Sequence, residues 1–157
     1  MTDVHSPEIR SNNMRAIKSK NTKPEVLVRS LLHRAGFRFR LNRRDLPGRP
    51  DLVLPKYRAA IFVNGCFWHG HDCRHFKLPR SNEDFWSLKI ESNRQRDSRT
   101  ASLLQTKGWR HLTVWECATR GHHPAALIQM ISNWLQSVHN VSAIGEIEDG
   151  TVTIRNP

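Results

Sequence analysis

Cysteines and histidines concentrated in one short stretch are the residues of this chain best suited to hold a metal ion. The set is Cys66, His69, His71, Cys73, His75 and, far along the chain, Cys117. Zinc prefers four tetrahedral ligands drawn from thiolate and imidazole, and a closed site of this kind has no open position for a substrate. We therefore predict a structural zinc site of three cysteines and one histidine, either His69 or His71. The alternatives are unliganded core thiols with exposed histidines, or a Cys66–Cys73 disulfide.

Two carboxylates are candidates for a second metal site. Asp51 follows the segment Leu-Pro-Gly-Arg-Pro and begins an apolar run, and a carboxylate at a sheet edge can hold a hard cation such as Mg²⁺. The next apolar run carries no acid or lysine, but a hairpin would place a main-chain carbonyl near Val63 beside Asp51. A simple Pro-Asp turn is the alternative. Glu25 lies three residues after Thr22, so it either closes a capping box or reaches a metal-bound water.

Aromatic residues next to basic groups indicate a surface that can stack on bases. Phe67 and Trp68 lie within the cysteine–histidine stretch, where burying two large rings is awkward. A further group is spaced three or four residues apart along one predicted helix: Trp86, Lys89, Asn93 and Asp97. Exposed rings in this setting suit base stacking or insertion as a wedge. The alternative is an ordinary solvated helix face with Trp86 in the core.

The elements that must position these residues follow from periodicity and capping signals. A short polar helix is possible over residues 6–19, and a clearer one runs between Thr22 and Gly36. Strands are predicted over residues 37–41, 51–54, 59–63 and 109–117, with Leu54 pairing near Ala59. Helices are predicted over residues 82–107 and 124–138, and a tail over residues 139–157. This order predicts an α/β fold with one mixed sheet.

Charge and hydropathy narrow the class of partner. Lys and Arg number 25 against 14 Asp and Glu, which leaves a net charge of +11 over 157 residues. So basic a chain favours a polyanion, because each neutralised phosphate releases counterions. The longest apolar run, residues 59–63, is far shorter than the roughly 20 residues that span a bilayer. We expect a soluble intracellular protein without a membrane partner, and the odd number of cysteines fits a reducing compartment.

Several short motifs together resemble the very short patch repair (Vsr) endonucleases. They are NNMRAI at 12–17, LPGRPD at 46–51, GCFWHGHDC at 65–73, VWECA at 114–118, and the residues Phe85, Trp86, Lys89, Ile90, Asn93, Arg96 and Asp97. The resemblance runs from about residue 8 to 135. It implies a restriction-endonuclease-like fold: a mixed central sheet flanked by helices, with a structural zinc site. It also implies one endonuclease domain over residues 1–157, of which residues 1–20 contact DNA.

The family's activity implies a Mg²⁺-dependent enzyme that nicks one strand on the 5′ side of the thymine in a T·G mismatch left by 5-methylcytosine deamination. Under this resemblance the zinc ligands are Cys66, His71, Cys73 and Cys117. The catalytic group comprises Asp51 and the Val63 carbonyl on Mg²⁺, Glu25 reaching the metal through water, His69 as the base and Asp97 orienting His69. The DNA-contacting residues are Phe67, Trp68 and Trp86 as major-groove wedges, Met14 on the minor-groove side, and Lys89 and Asn93 at the mismatched bases.

Two positions depart from the family's pattern. Family members often have threonine at Val63 and histidine at Asn64. A main-chain ligand survives a side-chain change, whereas Asn64 can hydrogen-bond a phosphate but carries no proton or charge, which puts the rate in question. A non-catalytic zinc-containing protein that binds mismatched DNA is therefore an alternative, and a basic RNA-binding or ribosome-associated protein is another. The resemblance also implies a bacterial-type monomer, cytoplasmic and nucleoid-associated, that works on mismatched duplex DNA with mismatch-repair proteins.

Overall fold

The computed structural model describes residues 8, 21–121, 123–148 and 151–155. Met14 and, apart from Glu8, the short helix predicted over residues 6–19 lie outside this part of the chain. Within it the architecture is mixed α/β, as predicted, with helices on both faces of one sheet. None of the helices in the described part is long and apolar enough to cross a membrane.

The first helix, α1 (Lys23–Arg34), begins where its capping residues predict. The Thr22 side chain accepts a hydrogen bond from the Glu25 N–H at 3.4 Å, and Gly36 follows the helix with φ at +88°. A left-handed residue just past a helix end is the usual position for glycine. Helical spacing predicts an inner stripe of Leu27, Leu31, Leu32 and Ala35, which is only partly right. Leu31 and Leu32 are buried together with Val28, whereas Leu27 is half-buried and Ala35 is exposed.

Six described strands form the sheet in chain order. They are β1 (Arg40–Leu41), β2 (Leu52–Leu54), β3 (Ala59–Asn64), β4 (Arg110–Trp115), β5 (Val141–Glu148) and β6 (Thr151–Arg155). β3 runs parallel to β4, and β4 runs parallel to β5. The pairs β1–β2, β2–β3 and β5–β6 are antiparallel. Leu54 pairs with Ala59 and Leu52 with Ile61, so the predicted hairpin register is confirmed.

Three sequence predictions about the strands need correction. Only Arg40–Leu41 of the predicted strand over 37–41 is a strand, and the predicted strand over 109–117 stops at Trp115. Residues 139–157 are not simply a tail, since β5 extends the sheet beside β4 and β6 pairs with β5. The physical reason is that β4 would otherwise lie at the edge of the sheet with unpaired backbone N–H and C=O groups, which pairing with β5 satisfies. Asp-Gly at 149–150 is a hairpin signal that the composition-based interpretation missed.

Together with α1, the remaining helices pack on both faces of the sheet. They are α2 (Glu83–Thr106), the short α3 (Glu116–Arg120) and α4 (Pro124–Gln136). The larger core joins α1 and α4 to one face through residues such as Leu32, Ile61 and Ile131. On the other face, Leu104 of α2 packs with Val53 and Ala60. α2 therefore covers the face of the sheet on which the functional side chains converge.

Candidate active site and metal centre

A cavity of about 830 Å³ opens at the junction of α1, the β2–β3 hairpin and α2. The predicted catalytic residues all contribute to its lining: Glu25, Asp51, Val63, Asn64, His69 and Asp97. These residues span more than seventy positions of sequence and come from different elements. The structure thus brings together in one place the groups that the sequence identified separately. Their individual catalytic roles stay predictions.

Asp51 directly precedes β2, and its carboxylate is turned toward β3. Its Oδ2 accepts a hydrogen bond from the Val63 N–H at 2.7 Å. A residue in a strand directs its N–H and C=O to the same side, so the Val63 carbonyl also points toward the side of the strand on which Asp51 lies. Burial is the main cause that raises the pKa of Asp51 to about 6; the hydrogen bond from Val63 lowers this pKa, and the charge of Glu25 contributes to raising it. A buried carboxylate facing a second acid is a suitable place for a cation.

Glu25 lies in the first turn of α1 beside the capping residue Thr22 and also lines the cavity. The residue is 4% exposed. Oε1 accepts from the Thr22 hydroxyl at 3.2 Å, while Oε2 accepts from the Asn21 N–H and from Arg29, each at 3.1 Å. The predicted cap by the Thr22 side chain is confirmed, whereas the second arm of a capping box differs, because the Glu25 carboxylate accepts from the Thr22 hydroxyl and the Asn21 N–H. A role for Glu25 through water stays a prediction, and its position in the cavity lining is compatible with both.

His69 is hydrogen-bonded to Asp97 through its Nδ1. The pairing places Asp97 on the inward face of α2, between the buried residues Asn93 and Thr100. With Nδ1 held by the carboxylate, Nε2 is the ring nitrogen that remains to accept a proton. The His69 backbone is held as well, since its N–H donates to Gly65 at 3.3 Å and its carbonyl accepts from Arg94 at 3.3 Å.

Cys66, His71, Cys73 and Cys117 form a tetrad whose ligand atoms lie within 4.8 Å of one another. Cys117 Sγ and His71 Nδ1 are 3.5 Å apart, close to the spacing of about 3.6 Å expected for tetrahedral ligands around zinc. The structure therefore selects His71, not His69, as the histidine of the metal-binding group. All three cysteines are free, which excludes the Cys66–Cys73 disulfide in this structure.

The surroundings of the tetrad favour a thiolate. Hydrogen bonds from the side chain and N–H of Cys117 lower the pKa of Cys66 to about 5, while the same contact raises the pKa of Cys117. The His71 ring stacks on Trp115 with centroids 4.2 Å apart. Cys117 lies in α3, directly after β4, so the tetrad ties the 66–73 loop to the end of the central strand.

The aromatic residues form one cluster beside this loop. Phe67 lies 5.2 Å from Trp68 and 5.3 Å from Trp86, centroid to centroid, and Trp68 lies 5.8 Å from Trp86. The three rings are half-buried, and Phe85, which packs on Trp86, is 59% exposed. Sequence reasoning singled out the first three rings as DNA contacts but gave Phe85 no such role, although an aromatic residue next to Trp86 was visible.

Lys89 and Asn93 differ in their accessibility. Lys89 is exposed, whereas Asn93 is 6% exposed and donates to the Trp68 carbonyl at 2.7 Å. Its amide oxygen accepts from Arg96 at 3.1 Å. Asn93 therefore holds the aromatic loop against α2, and contact of either residue with bases stays a prediction.

His111 and Thr113 are cavity residues that sequence reasoning missed. Both lie on β4 and are 8% exposed. Two polar residues at alternate positions of an otherwise apolar strand project from the same face. That alternation was the available signal, since Leu112 and Val114 between and beside them belong to the apolar core.

Comparison with known proteins agrees with these motifs. Residues 2–75 match the family profile of the DNA mismatch endonuclease Vsr. The chain is 47% identical over 138 residues to the DNA mismatch endonuclease Vsr of Escherichia coli, covering 86% of this chain and 88% of that one. It is 57% identical over 117 residues to the type II nicking enzyme V.XorIIP of Xanthomonas oryzae, covering 74% and 86% respectively. The nicking enzyme V.NmeAIP of Neisseria meningitidis is 47% identical over 117 residues, covering 74% and 84%.

Proposed function

The chain belongs to the Vsr family of DNA mismatch endonucleases and is a DNA endonuclease; on that premise we propose that it nicks duplex DNA on the 5′ side of the thymine in a T·G mismatch. The observation that carries the proposal is the shared cavity of Asp51 and the His69–Asp97 pair. Metal-assisted hydrolysis of a phosphodiester needs a carboxylate that can hold a cation and a base that can accept the proton of the attacking water. Asp51 offers the first group, and His69, held by the carboxylate of Asp97, offers the second.

Asp51 and the Val63 carbonyl are the proposed ligands of a Mg²⁺ ion. The donor set fits a hard cation, because both groups offer oxygen and Glu25 adds a second carboxylate to the same lining. When bound, Mg²⁺ supplies stabilisation of the negative charge that develops on the scissile phosphate. The protein contributes a preformed anionic pocket, in which the carboxylate of Asp51 is already held by the Val63 N–H.

His69 is the proposed general base. Asp97 accepts from Nδ1 and so orients the imidazole with Nε2 available for the proton of the attacking water. Its carboxylate also stabilises the positive charge that the ring gains in that step. Asn64 lines the same cavity and is the proposed hydrogen-bond donor to the phosphate.

The cysteine–histidine tetrad is the proposed structural zinc site. Three thiols and an imidazole suit zinc, and a four-ligand set leaves no position for substrate. The tetrad anchors the chain at positions 66 and 71, on either side of His69. With zinc bound, Cys66 and His71 would fix the segment that carries His69, whose Nδ1 is paired with Asp97.

The aromatic cluster of Phe67, Trp68 and Trp86 is the proposed mismatch-sensing surface. Phe67 and Trp68 lie on the loop that also carries His69, and Trp86 packs on them from α2. Insertion of these rings into the base stack and placement of the base on the phosphate are therefore mechanically linked. A wobble pair costs less to unstack than a Watson–Crick pair. The net charge of +11 supplies the attraction to the backbone that such an insertion needs.

A labelled duplex panel tests this proposal directly. Duplexes with T·G, T·A or C·G at one position are incubated with zinc-loaded protein in Mg²⁺ or in EDTA. We expect a single nick 5′ of the mismatched thymine, in Mg²⁺ only. Asp51→Asn and His69→Ala should each abolish nicking while DNA binding in EDTA persists.

Matched controls separate these roles from general disturbance. Asp45→Asn removes an exposed acid that is bound to Arg43, and His139→Ala removes an exposed histidine. Both should nick like the unmodified protein. Nicking that ignores the mismatch would refute the proposed substrate, and unimpaired nicking by His69→Ala would refute the proposed base.

A further inference from the structure

The segment that carries His69 makes its backbone hydrogen bonds in two directions. The N–H groups of residues 69–71 donate to the carbonyls of residues 65–67, at 3.3, 3.2 and 2.9 Å, so these bonds stay within the segment. The carbonyls of residues 68–70 accept from side chains of α2 instead. Because unpaired backbone carbonyls are unfavourable in a folded protein, the helix supplies what the segment cannot supply for itself.

Arg94 binds two of these three carbonyls with one guanidinium group. Its Nε donates to the His69 carbonyl at 3.3 Å, and its Nη2 donates to the Gly70 carbonyl. Asn93 donates to the third carbonyl, that of Trp68. A guanidinium suits this pair of acceptors, because its donors are fixed in one plane, whereas a lysine ammonium is a point charge on a flexible stem. Arg94 therefore holds two successive peptide groups.

Gly70 is the point at which the segment lies directly against α2. Its φ is +60°, and a Cβ there would lie 2.5 Å from Ile90 Cγ2 and 2.8 Å from Nε and Nη2 of Arg94. Glycine allows backbone to approach a neighbour this closely. The close approach brings the Gly70 carbonyl within reach of the guanidinium.

Arg94 acts on His69 from outside the cavity. Among the residues that the structure describes, those that line the cavity do not include Arg94. Its hydrogen bonds go to main-chain oxygens and not to the cysteine–histidine tetrad. Asp97, three positions further along α2, pairs with the ring of the same histidine. Positions three apart are neighbours on a helix surface, so adjacent side chains of α2 hold both the main chain and the ring of His69.

We propose that Arg94 is a positioning residue for His69, which anchors the segment to α2 independently of the zinc site. The tetrad holds the segment at positions 66 and 71, and Arg94 holds it between them. Without the guanidinium, the segment can move away from α2 while its metal ligands stay in place, and the imidazole then loses its alignment with Asp97. This inference rests on the proposed role of His69 as the base, but not on the T·G preference.

Arg94→Met tests the anchor, because methionine keeps an unbranched stem on the helix and removes every donor. Single-turnover nicking at saturating protein is measured on whichever duplex the unmodified zinc-loaded protein cuts fastest. We expect it to slow on the order of tenfold, as loss of precise placement does. Zinc content should stay the same, since the tetrad is intact. The dissociation constant for the same duplex is measured without added Mg²⁺.

Proton NMR of the His69 ring gives a readout that does not depend on cutting. In protein containing isotope-labelled histidine, the Nδ1–H bound to the Asp97 carboxylate should give a downfield signal. His69→Ala identifies that signal by its loss. We expect Arg94→Met to move the signal upfield, because the hydrogen bond weakens when the segment is released.

Arg99→Met is the matched control. Arg99 is likewise an exposed arginine of α2, and it is not among the described residues that line the cavity. It should keep the unmodified rate and NMR signal, and DNA affinity should fall no further in Arg94→Met than in this control. Thermal unfolding checks that each variant is folded, and Arg94→Leu replaces Arg94→Met if the latter is not.

Unchanged nicking by folded Arg94→Met would overturn the inference. A slower rate with an unchanged His69 signal would also overturn it, because Arg94 would then act by another route. Loss of zinc would show that the anchor is not independent of the metal site, and a fall in affinity alone would make Arg94 a phosphate contact instead. Absence of nicking by the unmodified protein on every duplex would contradict the proposed function, while the NMR signal would still test the anchor.

Discussion

Replacing Asp51 by asparagine should stabilise the protein while it abolishes nicking. The pKa of Asp51 is raised from 3.8 to about 6, chiefly by burial. A raised pKa means that the folded state disfavours the charged form, so ionised Asp51 opposes folding at neutral pH. Asparagine is neutral and nearly the same size, and its carbonyl oxygen can still accept from the Val63 N–H. The substitution removes the unfavourable charge without removing the hydrogen bond.

The size of the effect follows from the shift. Roughly two pKa units at about 1.4 kcal/mol each give about 3 kcal/mol of added stability, as an order of magnitude. For a chain of 157 residues this corresponds to a rise in melting temperature of roughly 6–12 °C. The gain should be complete above about pH 6, fall to roughly half by pH 5 and vanish below about pH 4, where Asp51 is protonated in both states.

Thermal and urea unfolding of both proteins between pH 5 and pH 8, without divalent ions, would measure this gain. Asp45→Asn is a control of opposite sign, because hydrogen bonding to Arg43 lowers the pKa of Asp45 to about 2. That substitution should give no stabilisation at any pH. Adding Mg²⁺ at pH 7.5 should reduce the difference in stability between Asp51→Asn and the unmodified protein, because only the protein with Asp51 gains a bound cation.

Two results would refute the reasoning. If Asp51→Asn were no more stable than the unmodified protein at pH 7.5, burial of the charge would not oppose folding. If the gain were the same at pH 5 and pH 8, the stabilisation would have a cause other than the ionisation of Asp51. Either result would remove the argument that this carboxylate is held ready for a cation.

Three further predictions concern the same machinery. The Mg²⁺ concentration for half-maximal nicking should rise about tenfold per pH unit below pH 6, as Asp51 takes up a proton; a flat dependence between pH 5 and pH 6 would count against Asp51 as the ligand. Gly70→Ala should slow nicking and lower the melting temperature, because φ at Gly70 is +60° and a Cβ there would lie 2.5 Å from Ile90. Gly36→Ala is the control: a Cβ at Gly36 would meet open space, so this variant should lose only about 1 kcal/mol of stability and keep its activity. Cys117→Ser should release zinc, measured with a metal-sensitive dye, and lower the melting temperature by more than His75→Ala does.

Features that depend on near neighbours were predictable from the sequence. The capping of α1 by Thr22 and Glu25, and the pairing of Leu54 with Ala59, involve residues only a few positions apart. The motif from Cys66 to Cys73 predicted a metal-binding loop for the same reason. The strands β5 and β6 were missed, because their polar composition outweighed the hairpin signal at 149–150. Their pairing depends on the open edge of β4, about thirty positions away in the chain.

The sequence by itself therefore determined which residue types are present at chemically useful spacing, because bonded geometry ties near neighbours together. Residue spacing left open whether His69 or His71 joins the cysteines, and only the family resemblance favoured His71. The tertiary structure brings His71 to the cysteines and His69 to Asp97, and it places Asp51 and Glu25 in the lining of one cavity. It also decided that His111 lines the same cavity. Such distances are set by strand register and by the packing of α2 on the sheet, and the burial that they produce changes the proton affinity of Asp51, which no local pattern can encode.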